Sequence, residues 1–372
     1  MTREELWLLM SHLDIGSAVL QKILKAFHDP EEILTGSGAA LTSAGFLTDR
    51  QKGELLRVRR DAASILRESE RMEKEGMRFV SREHPDFPQR LLKIPDPPAG
   101  LYVIGRLPDQ AHAFLAVVGS RGCSEYGREC AEMLAGGAAR AGAVIVSGMA
   151  AGIDGTAQRA ALRTGIAGCP SEAVLAGGAD RIYPASNRDL YRELCERGAV
   201  ISENPPGTVP EKYRFPQRNR LISGLSDAVL VVEARPGSGS LITSDQALDQ
   251  GRTVMAVPGN IFSELSSGCN SLIRQGAVPV SSVEDVCAEL GLMAPGEPGD
   301  EEEEMNLTDQ ERDLLDLFPP RGELIHFEDL LIRSKYPAGD LSLMLLRLAQ
   351  CGAVKEAPGN YYELALRRRR RR

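Results

Sequence analysis

Short apolar runs alternate with longer amphipathic segments through the middle of this 372-residue chain. Each apolar run is bounded by Gly, Ser or Pro, and most are separated by segments of helix length, such as 125–141, 156–163 and 187–197. Short buried strands that alternate with helices are typical of an α/β fold with a doubly wound, mostly parallel sheet. The strands predicted by this pattern are 114–118, 143–146, 173–175, 199–201, 228–232 and 254–257.

The first 75 residues follow a different pattern. Apolar residues recur there at the spacing of helices, and polar breaks at 14–17 and 36–38 divide the segment. We predict a helical domain over residues 1–75, of a SAM-like or helix-hairpin-helix-like type. The break at 14–17 is compatible with a phosphate-binding hairpin turn, although a plain helix–turn is favoured. The proline-rich segment 84–112 is typical of an extended arm that leads into the sheet domain.

The end of the chain has its own organisation. A stretch rich in Pro, Gly and acidic residues predicts a solvated linker. Thr308 and Glu311 then form a capping box that opens a helix, and two more helices are predicted at 327–334 and 340–350, followed by a hairpin. The resulting segments are an acidic linker at 293–306, a winged-helix-like domain at 307–366 and an arginine tail at 367–372.

The third of these helices, 340–350, is the one that reads duplex DNA in many winged-helix proteins. Its only basic residue, Arg347, stands against Asp340. Because groove binding requires several cations, a protein-contact or regulatory role is favoured for this domain. The arginine tail is compatible with nonspecific affinity for nucleic acid or membrane, or with no function.

Composition excludes several classes of protein. The seven cysteines contain no C-x-x-C pair and the N-terminus lacks the plan of a signal peptide, which favours reduced thiols and a cytoplasmic location. No apolar run approaches the ~20 residues of a membrane span, so no membrane partner is expected. A net charge of −8 argues against a chain wrapped nonspecifically in nucleic acid, although local patches decide binding.

The predicted sheet domain also lacks the residues of common enzyme sites. None of the five histidines lies between residues 113 and 325, which excludes a Ser-His-Asp triad or a histidine-based metal site there. The sequence has no Gly-Lys pair and therefore no P-loop, and no G-x-G-x-x-G follows the first strand. We expect no catalytic residue, no metal and no cofactor.

Turns rich in Gly and Ser follow the predicted strands. Small residues allow backbone amides and helix N-termini to approach an anion, so such turns suit phosphate. Any one of these glycines is explained equally well by a tight packing turn that binds no ligand. Four such turns at one edge of the sheet, however, favour a phosphate-binding site. The candidates from these turns are Gly119, Ser120, Arg121, Ser147, Gly148, Gly239 and Ser240.

The stretch 212–220 contains four cations, two aromatic residues and no acid. Cations that follow phosphates, together with an aromatic ring that stacks on a base, are what single-stranded nucleic acid binding requires. Two alternatives stay open: the stretch is a solvated loop with its phenylalanine in the core, or one of its arginines is structural and pairs with Asp154 or Glu233. The candidates here are Lys212, Phe215, Arg218, Asn219 and Arg220.

A series of motifs between about 80 and 290 closely resembles the DNA-processing protein A (DprA/Smf) family and stands in the order of that family. One departure is Gln158, where the family usually has a histidine. The motifs are VGSR at 118–121, YG at 126–127, SGMAxGID at 147–154, IYP at 182–184, SE at 202–203, FPxRNR at 215–220, SGS at 238–240 and VPG at 257–259.

The resemblance implies an extended Rossmann-like domain over residues 80–292 that binds single-stranded DNA, protects incoming strands in natural transformation and helps to load the RecA recombinase. It also implies a homodimer. By the same resemblance, phosphates would be held by the residues of the 119–121 and 147–148 turns. Lys212 and the 218–220 group would add charge, and Phe215 would stack or wedge against a base.

The alternative is an enzyme of related fold, the lysine-decarboxylase-like phosphoribohydrolases that cut nucleoside monophosphates. Their motif, Pro-Gly-Gly-x-Gly-Thr-x-x-Glu, ends in an acid that supports glycosidic cleavage. The matching stretch of this chain ends in Thr243 and Ser244, so the acid is missing on either side of the alignment. We therefore predict a binding protein and not an enzyme.

Overall fold

The computed structural model describes residues 1–27, 29–35, 45–294, 308–319, 323–350 and 353–364. The chain divides into two compact units, which we call the sheet unit (Met1–Pro295) and the C-terminal unit (Gly296–Arg372). The acidic run, the arginine tail and the break predicted at 36–38 lie outside the described residues. None of the helices in the described part is long and apolar enough to cross a membrane.

A nine-stranded sheet forms the centre of the sheet unit, in the order β1-β2-β6-β5-β4-β3-β7-β8-β9. Neighbours from β6 to β9 are parallel, and β2 pairs antiparallel with both β1 and β6. The doubly wound fold and its six strands are confirmed. The strands are β1 (Met77–Ser81), β2 (Gly100–Gly105), β3 (Phe114–Val118), β4 (Val144–Ser147), β5 (Ser171–Val174), β6 (Ala199–Ser202), β7 (Ala228–Val231), β8 (Thr253–Ala256) and β9 (Val278–Pro279).

Alternate residues of the central strands pack on opposite faces of this sheet. Leu115 and Val117 of β3 lie against the helices Glu125–Arg140, Ile153–Arg163 and Val283–Leu290. Phe114 and Ala116 lie against the helices Arg214–Leu225, Gly239–Asp249 and Glu264–Arg274 on the other face. Both faces are therefore buried, which explains why the strands are apolar throughout. The helices of this part are α5 (Glu125–Arg140), α6 (Ile153–Arg163), α7 (Arg188–Arg197), α8 (Arg214–Leu225), α9 (Gly239–Asp249), α10 (Glu264–Arg274) and α11 (Val283–Leu290).

The extended arm expected at 84–112 is wrong. Gly100–Gly105 is a strand of the sheet, and its side chains from Leu101 to Val103 are completely buried. A Cβ on Gly100 would lie 2.3 Å from the ring of Phe79, so β1 and β2 approach closely only because this residue is glycine. Prolines precede β2 along the chain, but they do not prevent this strand from forming.

Four described helices precede the sheet, as the apolar spacing predicts. They pack against its antiparallel edge, where the Ser11 hydroxyl lies 2.7 Å from the buried hydroxyl of Tyr102 and Ser17 donates to Asp96 at 2.8 Å. These helices thus belong to the same compact unit as the sheet, and a separate domain over residues 1–75 stays a prediction. They are α1 (Arg3–Ser11), α2 (Ser17–Phe27), α3 (Pro30–Thr35) and α4 (Asp49–Lys74).

The C-terminal unit has three described helices and a three-stranded antiparallel sheet in the order β10-β12-β11. Its first helix starts with the predicted capping box of Thr308 and Glu311. This is the expected winged-helix-like plan, with one additional strand, β10, between the first and the second helix. The elements are α12 (Asp309–Leu315), β10 (Leu324–His326), α13 (Phe327–Ser334), α14 (Ala338–Gln350), β11 (Val354–Ala357) and β12 (Tyr361–Leu364).

One acid in the sheet unit is buried without compensation. Glu172 of β5 is completely buried, and neither of its carboxylate oxygens has a hydrogen-bond partner among the described residues. Burial raises the pKa of Glu172 to about 8. Gln158 donates from its amide to the Glu172 backbone carbonyl at 3.2 Å, so the departure from the family pattern at this position lies in the core.

Candidate nucleic-acid interface

A cavity of about 400 Å³ opens at the carboxyl ends of β3 and β7. The strand order reverses here, because β4 lies on one side of β3 and β7 on the other. Ligands of doubly wound sheets bind at such switch points. The cavity is lined by the turn 118–121 after β3, by 235–240 and Thr243 after β7, and by residues of α8.

The turn after β3 holds its backbone tightly. A Cβ on Gly119 would lie 2.6 Å from Ile153, and the Ser120 amide donates to the Glu233 carbonyl at 2.8 Å. Gly152 has a φ of +79°, and a Cβ there would lie 2.3 Å from the Ser120 carbonyl. Glycine is therefore required for α6 to approach β3, which fixes the position of Arg121 at the mouth of the cavity.

The positive end of helix α9 faces the same cavity. Ser238 caps the helix, and its hydroxyl lies 2.8 Å from the hydroxyl of Ser240. Thr243, one turn further along, is only 1 % exposed and lines the cavity. Its hydroxyl has no hydrogen-bond partner in the part of the chain that the structure describes. A helix N-terminus with free hydroxyl donors is well suited to an anion.

Arg218 of α8 forms part of the cavity wall and is fixed in place. Its guanidinium donates to the Gly148 carbonyl at 2.8 Å and to the Val174 carbonyl, and its Nε donates to Asn219 at 3.2 Å. Burial lowers the pKa of Arg218 to about 10, while the nearby Asp154 opposes this shift. Burial raises the pKa of Asp154, and Arg218 and the Gly148 amide, which donates to it at 3.1 Å, act in the other direction.

Arg220 lies on the other side of α8 and does not line the cavity. It forms ion pairs with Glu203 and, at 3.1 Å, with Asp96. Residues two apart on a helix point in nearly opposite directions, so only one of these two arginines can face the cavity. A structural arginine in this stretch was an open alternative with Asp154 or Glu233 as its partner. Arg218 interacts with Asp154, whereas Arg220 pairs with Glu203 and Asp96, and Glu233 instead accepts from Ser124.

Phe215 stands half-buried at the mouth of the cavity. Its ring centre is 5.1 Å from the guanidinium carbon of Arg121 and 5.6 Å from the ring centre of Tyr183, in an edge-on arrangement. Residues 214–225 form a helix, so the loop expected as an alternative for this stretch is wrong. Phe215 is thus a surface ring with cationic and aromatic neighbours.

The cavity brings together most of the candidate residues but not all of them. Ser147 is buried and donates to the Val117 carbonyl at 2.6 Å, and Gly148 lies beneath Arg218. Lys212 is exposed in the turn before α8 and is not part of the lining. The candidate residues that line it are Gly119, Ser120, Arg121, Phe215, Arg218, Asn219, Gly239 and Ser240.

The predicted site did not include four polar cavity residues, Asp154, Arg235, Ser238 and Thr243. The glycine turn at 236–240 pointed to this loop, but only the helical spacing from Gly239 could have indicated that Thr243 faces inward. Arg235 precedes the turn and is largely exposed, with a weak ion pair to Glu264 at 3.8 Å. Its position shows that the cationic lining comes from three separate parts of the chain.

Comparisons with known proteins identify the family of this chain. The family model described as DNA recombination-mediator protein A matches residues 78–291. A DNA processing protein DprA from Bacillus subtilis is 41 % identical over 217 residues, which cover 58 % of this chain and 72 % of that protein.

Two solved structures are also similar to the chain. DprA from Streptococcus pneumoniae has a TM-score of 0.65 and 33 % identity, covering 78 % of this chain and 98 % of that one. DNA processing protein A from Helicobacter pylori, described for its single-stranded DNA binding mode, has a TM-score of 0.51 and 28 % identity, covering 57 % and 95 %. The chain therefore belongs to the DNA recombination-mediator protein A family, whose curated relatives are named DprA and Smf.

Proposed function

We propose that this protein binds single-stranded DNA at the cavity of the sheet unit. The observation that carries the proposal is the combination of Arg121 and Arg218 with the half-buried ring of Phe215 at one cavity mouth. Cations neutralise phosphates, and an aromatic ring stacks on any base, so the site suits single strands without sequence preference. The Helicobacter pylori relative is described as binding single-stranded DNA, which supports the proposal.

Each candidate residue then has a physical role. The turn at Gly119 and Ser120 brings backbone close to a phosphate, and Gly239 and Ser240 present the positive end of α9. Asn219 donates to the Gly239 carbonyl at 3.2 Å and thereby joins α8 to this turn. The other candidates lie outside the lining. Lys212 adds an exposed charge along the strand, and the Gly148 carbonyl holds Arg218. Ser147 joins the end of β4 to β3, and Arg220 anchors α8.

We further propose that the bound strand is handed to a RecA-type recombinase in natural transformation, and that the protein acts as a homodimer. The family description as a recombination mediator supports the first of these proposals. Two copies would place two such cavities along the same strand. A cytoplasmic location stays a prediction.

An enzymatic function is the less favoured alternative. The position of the phosphoribohydrolase acid is taken by Thr243 or Ser244, and Ser244 faces the helix, where its hydroxyl donates to the Leu241 carbonyl at 2.7 Å. Asp154, the acid in the cavity lining, is already bonded to the Gly148 amide. Chromatography after incubation with nucleoside monophosphates checks this directly, because release of free base would favour the enzyme.

Fluorescence anisotropy with labelled oligonucleotides tests the main proposal. We expect the full chain to bind a single strand more tightly than a duplex of the same length, with affinity that falls as salt rises. Several sequences of equal length should bind with similar affinity. Equal or tighter binding to the duplex would contradict the proposal.

A further inference from the structure

We propose that the cavity preferentially takes a terminal phosphomonoester of a nucleic acid strand, at its 5′ or its 3′ end. This inference rests on the proposed function, because it names the part of the strand that the same site recognises. An internal phosphate is a diester with one negative charge, whereas a terminal monoester carries ~1.5–2 negative charges at pH 7. The charge of the cavity lining, the N-terminus of α9 and the hydroxyl groups all suit a terminal monoester better than an internal diester.

The net charge of the cavity lining favours a dianion. Three arginines and one acid contribute charged side chains to the cavity within the described part of the chain, which leaves two positive charges in excess. Asp154 faces Arg218, and the exposed Glu264 screens Arg235 only weakly at 3.8 Å. Arg121 has no acidic partner among the described residues. An excess of about two charges complements a dianion.

The hydrogen-bond donors of the cavity suit a phosphate with three terminal oxygens. Thr243 is only 1 % exposed and lines the cavity, and its hydroxyl makes no hydrogen bond within the described chain, so a ligand oxygen in the cavity would give it a partner. Ser238 and Ser240 share one hydrogen between their hydroxyls, which leaves the other for a ligand. A monoester offers three terminal oxygens and a diester only two. The third oxygen therefore finds a donor at the floor of this cavity.

The size and shape of the cavity suit the end of a strand. A volume of about 400 Å³ lies within the ordinary range for small-ligand pockets and admits one nucleotide. Phe215 at the mouth is placed to stack on the base attached to a phosphate inside. The end of a strand can place its last phosphate at such a floor without bending, whereas an internal phosphate must bring chain in on both sides.

The test uses the full chain and one internally labelled single strand in three forms: with a 5′-phosphate, with a 3′-phosphate and with hydroxyl groups at both ends. We expect one phosphorylated form to bind about fivefold more tightly than the hydroxyl form, and dTMP to compete better than thymidine. Equal affinity for all three forms overturns the inference and leaves single-strand binding intact. Weak binding of every strand, with tight binding of dTMP, contradicts the proposed function instead.

Two variants on the same helix locate the effect. Thr243→Val removes the unpartnered hydroxyl with little change of shape, and we expect it to bring the ratio between phosphorylated and hydroxyl forms close to one. Thr243→Ser should restore the ratio. Ser244→Ala is the matched control, because Ser244 does not line the cavity. If Thr243→Val folds and keeps the full ratio, the terminal phosphate is not bound at this floor and the proposal fails.

Discussion

In the sheet unit, arginines line a cavity and the acids around them leave positive charge in excess, whereas in the described part of the C-terminal unit the basic residue of α14 is paired with an acid. Arg347, the basic residue of α14, forms an ion pair with the buried Glu311 at 3.3 Å. Leu343 and Leu346 of the same helix are exposed. A ligand with many phosphates therefore meets unsatisfied cations in one unit and an apolar, charge-paired helix in the other.

This difference shows that fold plan and DNA binding are separate properties. A winged-helix-like arrangement alone suggests a groove-reading helix, but what binds phosphate is charge that the protein itself leaves unneutralised. The sheet unit also contains a buried polar group that costs stability: the carboxyl of Glu172 has no hydrogen-bond partner in the described chain.

The largest effect is expected from Glu172→Gln. The raised pKa means that the folded protein holds a proton which the unfolded chain releases near pH 4.5, so the wild-type protein should lose stability as pH rises from 4.5 to about 8. The variant should be spared this loss, which amounts to about 1.4 kcal/mol for each pH unit in that window. Urea unfolding followed through Trp7, the only tryptophan, measures it in the sheet unit.

The exposed Glu129→Gln is the control for that experiment and should unfold with the pH dependence of the wild-type protein. If Glu172→Gln also follows the wild-type curve between pH 5 and pH 8, then the buried carboxyl is ionised in the folded protein. The contrast between the two units would then not extend to stability.

Phe215→Ala should weaken single-strand binding by ~1–3 kcal/mol and leave the salt dependence nearly unchanged, because stacking involves no counterions. Phe262→Ala is the matched control, since this ring is 91 % exposed and lies outside the cavity lining. Anisotropy titration at several salt concentrations distinguishes them. A sharp fall in melting temperature for Phe215→Ala would instead identify the ring as part of the core.

Arg121→Ala and Lys212→Ala should have a smaller effect of a different kind. Each removes a phosphate contact, so affinity should fall and the slope of log K against log salt should flatten by about one unit per contact. Arg163→Ala, which removes an exposed arginine paired with Glu132 on another face, is the control. A slope that stays at its wild-type value in both test variants would remove these residues from the DNA path.

The smallest effect is expected from a chain that ends near Asp300. It lacks the C-terminal unit and the six terminal arginines, but the cavity lies entirely upstream. The shortened protein should fold and keep most of its single-strand affinity, with some loss of nonspecific binding. A shortened protein that unfolds normally yet no longer binds would move the site to the C-terminal unit.

The central fold was predictable because apolar runs bounded by Gly and Pro correspond to strands buried on both faces. Phe114–Val118 begins and ends where the pattern predicts. Strand β2 was missed because the prolines before it masked a short apolar run, and pairing with β6 is a long-range contact that local pattern does not contain.

The sequence predicted which turns form the candidate site, but it did not predict which side chains point into the cavity. The sequence places Arg218 and Arg220 in one cationic stretch, and only the helix that contains them sends one to the cavity and the other to Glu203. Thr243 carries no signal of its own, because a threonine within a helix is ordinary until its burial and its neighbours are known.

The bonds that hold Arg218 have a consequence for the thermodynamics of binding. A long side chain that becomes ordered around a ligand loses rotamer entropy, at a cost of ~0.5–1.5 kcal/mol. Arg218 is already immobilised by the carbonyls at the ends of two strands, so a phosphate that meets it incurs no such penalty. Arg121 at the exposed mouth has that freedom to lose. Arg218 is thus preorganised for affinity, while the exposed Arg121 at the mouth is the first cation that an approaching strand meets.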